Sequence, residues 1–368
     1  MKIGIPKETA PGERRVALTP DAAGRLVKSG HAVVVQAGAG AEAGFSDEAY
    51  SAAGATLGDG WAADVVCKVQ KPGGGEVAKL REGGALVGLL QASTSADLLH
   101  LLAQRRVTAF SLELLPRITR AQPMDVLSSQ ATVAGYKAVL LAADTAPRFF
   151  PMLVTAAGTL PPARVLVLGA GVAGLQAIAT SRRLGAVVSA FDVRAAVKEQ
   201  VESLGAKFLA MEERVAGEGA GGYAKELSAD QHQRELDFLA RSVKDADVVI
   251  TTAAIPGKRA PLLVTRAAVE GMRPGAVIVD LAAETGGNCE LTQAGTQILH
   301  HGVAILGPVN LPATLPQHAS QMYARNVASF LGHVAKDGGG PGGALQLDFT
   351  DEITKGTCVT HGGRVLLA

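Results

Sequence analysis

The sequence predicts an α/β protein of two doubly wound parallel-sheet domains joined by long helices. Short apolar runs alternate with helical segments over most of the chain, the pattern of parallel sheets covered on both faces. A complete strand, glycine turn, helix and strand unit lies at 164–194. Two long helical stretches, 130–143 and 314–334, flank the second half and read as connectors between domains. A length of 368 residues suits two domains, 1–130 with 317–368 and 131–316.

The central unit carries most of the chemical information. Residues 165–168 suit a strand buried on both faces, and Gly169, Gly171 and Gly174 follow in G-x-G-x-x-G spacing. Residues 175–184 read as a helix closed by Gly185, and 187–191 as a second strand ending at Asp192. Gly169 allows the tight turn, Gly171 lets a pyrophosphate approach the backbone, and Gly174 lets helix and strand pack closely. The helix N-terminus offers unpaired N–H groups and the positive end of its dipole to phosphates. Asp192 would accept hydrogen bonds from adenosine ribose hydroxyls. Glycine spacing alone says little in a chain with 44 glycines. The full order of strand, glycines, helix, strand and acid reads as a dinucleotide site in a Rossmann-like domain, against a purely structural β-α-β turn.

Composition narrows the classes. Hydrophobic residues make up 48% and charged residues 19%, which excludes a disordered chain. A formal net charge of +1 gives no field to attract nucleic acid. Cys67, Cys289 and Cys358 sit in or beside apolar runs and read as reduced, buried thiols of a cytosolic protein. No metal-ligand spacing joins them to the eight histidines, and His300 and His301 would diverge on a regular element, so no metal site is expected. No signal-peptide pattern opens the chain. The most apolar stretch, 138–157, is broken by Asp144, Pro147, Arg148 and Pro151, so no membrane span is expected.

In order, strands are expected at 2–5, 32–36, 65–69, 85–90 and 107–111, with helices starting at Thr19-Pro20 and Ser46, near 76–80, and at 96–105. This opening region has no glycine fingerprint, so it binds no dinucleotide by itself. Residues 116–129 break the pattern as a polar, proline-marked loop. Beyond Asp192, helices are expected at 198–204, 235–243 and 262–271, and strands at 247–252, 276–279 and 303–306. The glycine-rich and charged run at 212–233 reads as either a functional lid or a mobile stretch. Residues 338–343 read as a linker, and 345–349 with 356–367 as a small tail.

Several runs together resemble one family. Lys2-Ile3-Gly4-Ile5-Pro6-Lys7-Glu8, Arg15-Val16-Ala17-Leu18-Thr19-Pro20 and Gln36-Ala37-Gly38-Ala39-Gly40 resemble the opening shared by alanine dehydrogenases and the NAD(H)-binding component of proton-translocating NAD(P) transhydrogenases. Residues 251–257, 272–280 and 286–289 resemble both as well. Two positions separate the relatives. Where alanine dehydrogenases carry a catalytic Lys, this chain has Gln70 in Lys68-Val69-Gln70-Lys71-Pro72, with Lys71 next door. Where they carry a catalytic His, it has Gln91 in Leu89-Leu90-Gln91-Ala92. Glutamine does not titrate, so neither can serve as the acid or base of an oxidative deamination. Residues 116–130 instead resemble the transhydrogenase loop named for its Arg, Gln and Asp, matching at Arg117, Gln122, Asp125 and Ser128. Pro123 departs from that pattern, in which a small polar residue is expected. An ordinary ion pair between Arg117 and Asp125 is the structural alternative. Residues 221–226 are similar to the family's mobile loop over the nucleotide.

The resemblance implies direct hydride transfer between NAD(H) on this chain and NADP(H) on a partner component, coupled to proton translocation by a membrane-spanning partner. It implies that Arg117 holds the nicotinamide carboxamide, that Asp125 and Ser128 fix the nicotinamide and its ribose, and that Gln122 reaches the NADP(H) ribose. Val172 would pack beside the pyrophosphate, and Asp192, Val193 and Arg194 would hold the adenosine ribose. Gly222 and Tyr223 would close over the site and Ala254 would line it. The chain ends soon after Gly356-Thr357-Cys358-Val359-Thr360, as the separate soluble alpha subunit of the split form does. A homodimer is implied, cytoplasmic and peripheral on the inner face of the cell membrane through its partners. The alternatives are a stand-alone NAD-dependent alanine or related amino-acid dehydrogenase and a non-catalytic nucleotide sensor.

Overall fold

The computed structural model describes residues 1–211, 228–255, 258–335 and 345–367. Gly222, Tyr223, most of the expected lid or mobile stretch at 212–233 and the linker at 338–343 lie outside the described residues. The chain packs into two compact units, Met1–Gln130 with Pro312–Ala368, and Ala131–Leu311.

The first unit opens with β1 (Lys2–Ile5), α1 (Pro20–Lys28), β2 (Ala32–Val35), α2 (Asp47–Ala52), β3 (Thr56–Leu57), β4 (Val65–Gln70), α3 (Gly74–Val77), β5 (Ala85–Leu89), α4 (Ala96–Gln104) and β6 (Thr108–Ser111). Pro20 stands in the first turn of α1 with Asp21 beside it, and Ser46 caps α2 by accepting from the Ala49 N–H. Thr19 holds the cap position of α1 without a side-chain bond. The six strands are parallel in the order β3-β2-β1-β4-β5-β6, the doubly wound arrangement. Alternate residues of β4 explain its apolar run, which Lys68 alone interrupts before Gln70. Val65, Cys67 and Val69 join one core and Val66 the other, so both faces are buried.

Helix α5 (Val126–Thr145) follows. It begins four residues before the expected 130, because Asp125 accepts from the Ser128 N–H at 2.9 Å and caps the first turn. By length and composition α5 is apolar enough to cross a bilayer, at a mean hydropathy of 1.2, although no such segment was expected. The expectation rested on an unbroken apolar run, whereas α5 intersperses Ser129, Gln130 and Lys137 among its apolar residues. Its Ala138, Val139 and Ala142 lie in the core of the second unit.

The second unit contains β7 (Leu153–Thr155), β8 (Gly158–Leu160), β9 (Arg164–Leu168), α6 (Val172–Arg183), β10 (Val187–Phe191), α7 (Lys198–Ser203), β11 (Lys207–Phe208), α8 (Ala229–Lys244), β12 (Val248–Thr251), α9 (Arg266–Glu270), β13 (Val277–Asp280), β14 (Gln297–His300) and β15 (Val303–Leu306). Its main sheet runs β11-β10-β9-β12-β13-β15-β14, again doubly wound, with β14 antiparallel at the edge. Of the expected helix at 262–271, only α9 forms. Residues before it are not helical, with Val264 bridged to Cys289.

The chain returns to the first unit with α10 (Pro316–Val334), α11 (Glu352–Thr357), β16 (Cys358–His361) and β17 (Arg364–Val365). β16 pairs antiparallel with β6, so the expected tail extends the first sheet. On α10, Ser320 Oγ accepts from the Val16 N–H at 3.0 Å, Tyr323 donates to the Lys68 carbonyl at 2.8 Å, and Phe330 meets Phe110 edge-on. All three cysteines are free and buried, and burial pushes the Cys67 thiol up to about 12.

Candidate functional site

In a doubly wound sheet the crevice opens at the carboxyl ends of the strands flanking the topological switch point, here β9 and β12 of the second unit. The glycine turn after β9 lies there, and its three glycines differ in what surrounds them. Gly169 has φ +96°, a conformation that glycine adopts without strain. A Cβ at Gly174 would lie 1.8 Å from the Gly169 carbonyl oxygen, so only glycine lets α6 start this close to β9. A Cβ at Gly171 would meet no protein atom within 4 Å. Val172, the first residue of α6, is exposed beside it. The Thr252 hydroxyl donates to the Gly169 carbonyl at 2.9 Å and ties the loop after β12 to this turn. Ala254 lies exposed in that loop.

Asp192, at the end of β10, uses its carboxylate fully. Oδ2 accepts from the Ala170 N–H at 2.8 Å, and Oδ1 from the Arg194 N–H at 2.8 Å. The Arg194 guanidinium adds Nε to Oδ1 at 2.9 Å and Nη2 to Oδ2 at 2.8 Å. Asp192 therefore ties the glycine turn to the Arg194 backbone and guanidinium. Val193 packs against the apolar core beside them. Burial raises the Glu235 carboxyl on α8, and the Asp192 charge adds to that, against the opposing pull of His232 at 3.1 Å.

Asp280 and Asn288 are positioning residues that sequence reasoning saw only as motif members. Asp280 is fully buried and accepts from the Thr251 and Thr292 hydroxyls at 2.8 and 2.6 Å and from the N–H groups of Ala282, Asn288 and Cys289. Asn288 then brackets Ala253, accepting from its N–H at 3.1 Å and donating to its carbonyl at 2.8 Å. This chain of bonds fixes the loop carrying Ala254. An acid ending a strand at the level of a glycine turn was the available signal.

In the first unit, Thr119–Met124 forms a 3-10 segment with Ala121 and Met124 buried and Gln122 exposed. Asn326 of α10 donates to the Pro123 carbonyl at 2.8 Å and pins the segment. That bond takes a backbone carbonyl, which any residue at 123 would supply. Asp125 accepts from the Ser128 N–H and, at 2.6 Å, from its hydroxyl, so these two residues form one local unit at the start of α5. Arg117 is exposed.

The same unit buries a charged network. Glu13 accepts from Arg15 Nε at 2.8 Å and Nη2 at 2.6 Å and from Gln70 Nε2 at 3.0 Å, and Arg15 Nη1 donates to Gln130 at 2.8 Å. Lys68 pairs with Glu8 at 3.1 Å, although burial still raises the Glu8 carboxyl. Lys71 donates to the Ser95 hydroxyl, and Gln91 is exposed at φ +51°. Burial alone would raise the Glu13 carboxyl, but the bonds from Arg15 and Gln70 overcome it and hold it down at about 2. A depressed carboxylate contributes stability above its unfolded value, 4.5, and loses it as pH falls toward 2. Relative to Glu13→Gln, the native chain should lose about 3 kcal/mol more stability over that window. Denaturant unfolding of both proteins from pH 6 downward measures the difference, and parallel curves would show that Glu13 is not depressed.

Residues 138–368 match the model of the alanine dehydrogenase/PNT C-terminal domain, and residues 4–134 that of the alanine dehydrogenase/PNT N-terminal domain. The chain belongs to the alanine dehydrogenase/PNT family. It is 49% identical to the first portion of the NAD(P) transhydrogenase subunit alpha of Rhodospirillum rubrum, over 100% of this chain and 98% of that one. The crystal structure of transhydrogenase from Sinorhizobium meliloti superposes with a TM-score of 0.90 at 44% identity, covering 99% of this chain and 100% of that one. The alanine dehydrogenase of Bacillus subtilis is 30% identical over 86% of this chain and 81% of its own length. The family is the one that the motifs indicated.

Proposed function

We propose that this member of the alanine dehydrogenase/PNT family is the NAD(H)-binding component of a proton-translocating NAD(P) transhydrogenase. The observation that carries the reading is Gln70. Where the dehydrogenases need a titrating Lys, its side chain donates to Glu13 in a buried ionic network and offers no acid or base. Hydride transfer from NADH to NADP+ needs neither, because the hydride leaves one nicotinamide C4 and joins the other with its electron pair. NADH becomes NAD+ and NADP+ becomes NADPH, with no proton exchanged. What such a reaction requires is alignment of the two rings about 3–3.5 Å apart.

On this reading the Gly169–Gly174 turn and α6 N-terminus hold the pyrophosphate, with Val172 beside it, and Asp192, Val193 and Arg194 hold the adenosine ribose. Arg117, Asp125 and Ser128 serve the nicotinamide end, Ala254 lines the site, and Gln122 turns to NADP(H) on the partner component. Gly222 and Tyr223 keep their proposed closing role. A membrane-spanning partner couples the transfer to proton movement and keeps the chain, as a homodimer, at the inner face of the cell membrane. The isolated chain with NAD and alanine should show no turnover, while mixing it with an NADP(H)-binding transhydrogenase component should start hydride exchange. Turnover of an amino acid by the chain alone would replace this reading with the dehydrogenase.

Asp192 also sets an expected nucleotide preference. A 2′-phosphate would meet its carboxylate and forfeit ribose hydrogen bonds worth roughly 1.5–3 kcal/mol each. Arg194 offsets some of this, since its guanidinium can turn to a phosphate. The chain should bind NADH about tenfold or more tightly than NADPH. Equal dissociation constants in parallel titrations would remove Asp192 from the ribose site.

A further inference from the structure

At the far edge of the second sheet, β14 ends at His300, and His301 and Gly302 turn the chain into β15. On a regular strand two successive histidines would point to opposite faces, which is why no metal site was expected from the sequence. Here the strand stops between them. His301 has φ +50° and Gly302 φ +76°, positive at both central positions of a two-residue hairpin. That turn takes Asn-Gly most readily, and a histidine in its first position carries a ring into the turn at some conformational cost. The two imidazole rings consequently lie 4.9 Å apart, tilted by 39°.

Glu270, the last residue of α9, completes the group. Its Oε1 lies 2.9 Å from His300 Nε2, and one ligand atom from each of the three side chains falls within 4.8 Å of the others. We propose that Glu270, His300 and His301 form a surface site for a divalent transition ion of the zinc class, with three protein ligands and a fourth position open to solvent or an outside group. A tetrahedral ion with bonds of about 2.1 Å holds its ligand atoms about 3.4 Å apart, and the separations here, from 2.9 Å to no more than 4.8 Å, reach that value by rotamer adjustment of the three side chains. Two imidazoles and a carboxylate suit zinc, copper and nickel and not calcium or magnesium. The supporting backbone is fixed. Ala268 and Val269 of α9 are buried in the core, and the Gly275 N–H donates to the Gly302 carbonyl at 2.8 Å. Arg266 is the nearby positive charge that opposes the ion, and the hydrogen bond from His300 holds the Glu270 carboxyl below its ordinary range.

The test is calorimetric titration of the chelator-treated full chain with Zn2+. One ion per chain should bind, and His300→Gln, Glu270→Gln and His301→Asn should each weaken it at least about tenfold. His301→Asn suits the positive φ, so its metal-free thermal midpoint should match the parent and separate lost ligation from lost folding. A Co2+ adduct should show the intense visible bands of tetrahedral coordination in the parent and lose them in His300→Gln. Absence of saturable one-to-one binding, or parental affinity retained in His300→Gln or in His301→Asn, overturns the proposal.

Discussion

Gly174→Ala should cost the second unit about 3 kcal/mol or more and abolish NADH binding with it. The added Cβ would lie 1.8 Å from the Gly169 carbonyl oxygen and 2.9 Å from its carbon, with Thr252 Oγ1 at 3.1 Å on the other side. The first two are backbone atoms, so no rotamer relieves the clash. Either α6 moves away from β9 or the turn opens, and both break the bond from Thr252 to Gly169. Gly171→Ala provides the contrast within the same motif. Its φ of −75° suits alanine, and its Cβ would meet no protein atom within 4 Å, so stability should change by less than about 1 kcal/mol. NADH affinity should nevertheless fall steeply, because that Cβ occupies the approach proposed for the pyrophosphate. Thermal unfolding beside an NADH titration separates the two glycines. A Gly171→Ala protein that keeps full affinity would show that the pyrophosphate lies elsewhere.

The sheets were legible because burial on both faces writes each inner strand as a continuous apolar run, as Val165–Leu168 and Val248–Thr251 show. The edges were not. β14 reads Gln-Ile-Leu-His, with Leu299 75% exposed, and carries no such run. The β7–β8 hairpin, with Val154 equally exposed, is a local pair that leaves little pattern. In the site, glycine spacing gave the turn, because each glycine answers to a backbone constraint that chain order expresses. The Arg194 fork on Asp192 and the Asp280–Asn288 bracket depend on side-chain directions between loops, which spacing does not encode. Gln70 is intermediate. The loss of a titrating group was visible, but its partner Glu13 lies 57 residues earlier and appears only in the folded chain.

Gln122→Asn should lower hydride transfer in the reconstituted complex by about 100-fold while leaving NADH binding to this chain unchanged. The substitution keeps the amide and shortens its reach by about 1.5 Å at most. The surrounding segment would not absorb that change. Ala121 and Met124 on either side are buried, Asn326 pins the Pro123 carbonyl, and the Asp125 N–H donates to the Gln122 carbonyl at 3.2 Å. The exposed side chain alone changes, so folding stability should stay within about 0.5 kcal/mol of the parent. If Gln122 orients the nucleotide on the partner component, the shortened amide misplaces one nicotinamide relative to the other, and a reaction driven by alignment loses its driving arrangement. If Gln122 is an ordinary surface residue, transfer and binding both stay at the parent level. If the chain is an amino-acid dehydrogenase, there is no transfer between nucleotides to lose. Single-turnover hydride transfer measured beside an NADH titration distinguishes the three. An unchanged transfer rate would take Gln122 out of the site and leave Thr119–Met124 as a structural loop pinned to α10.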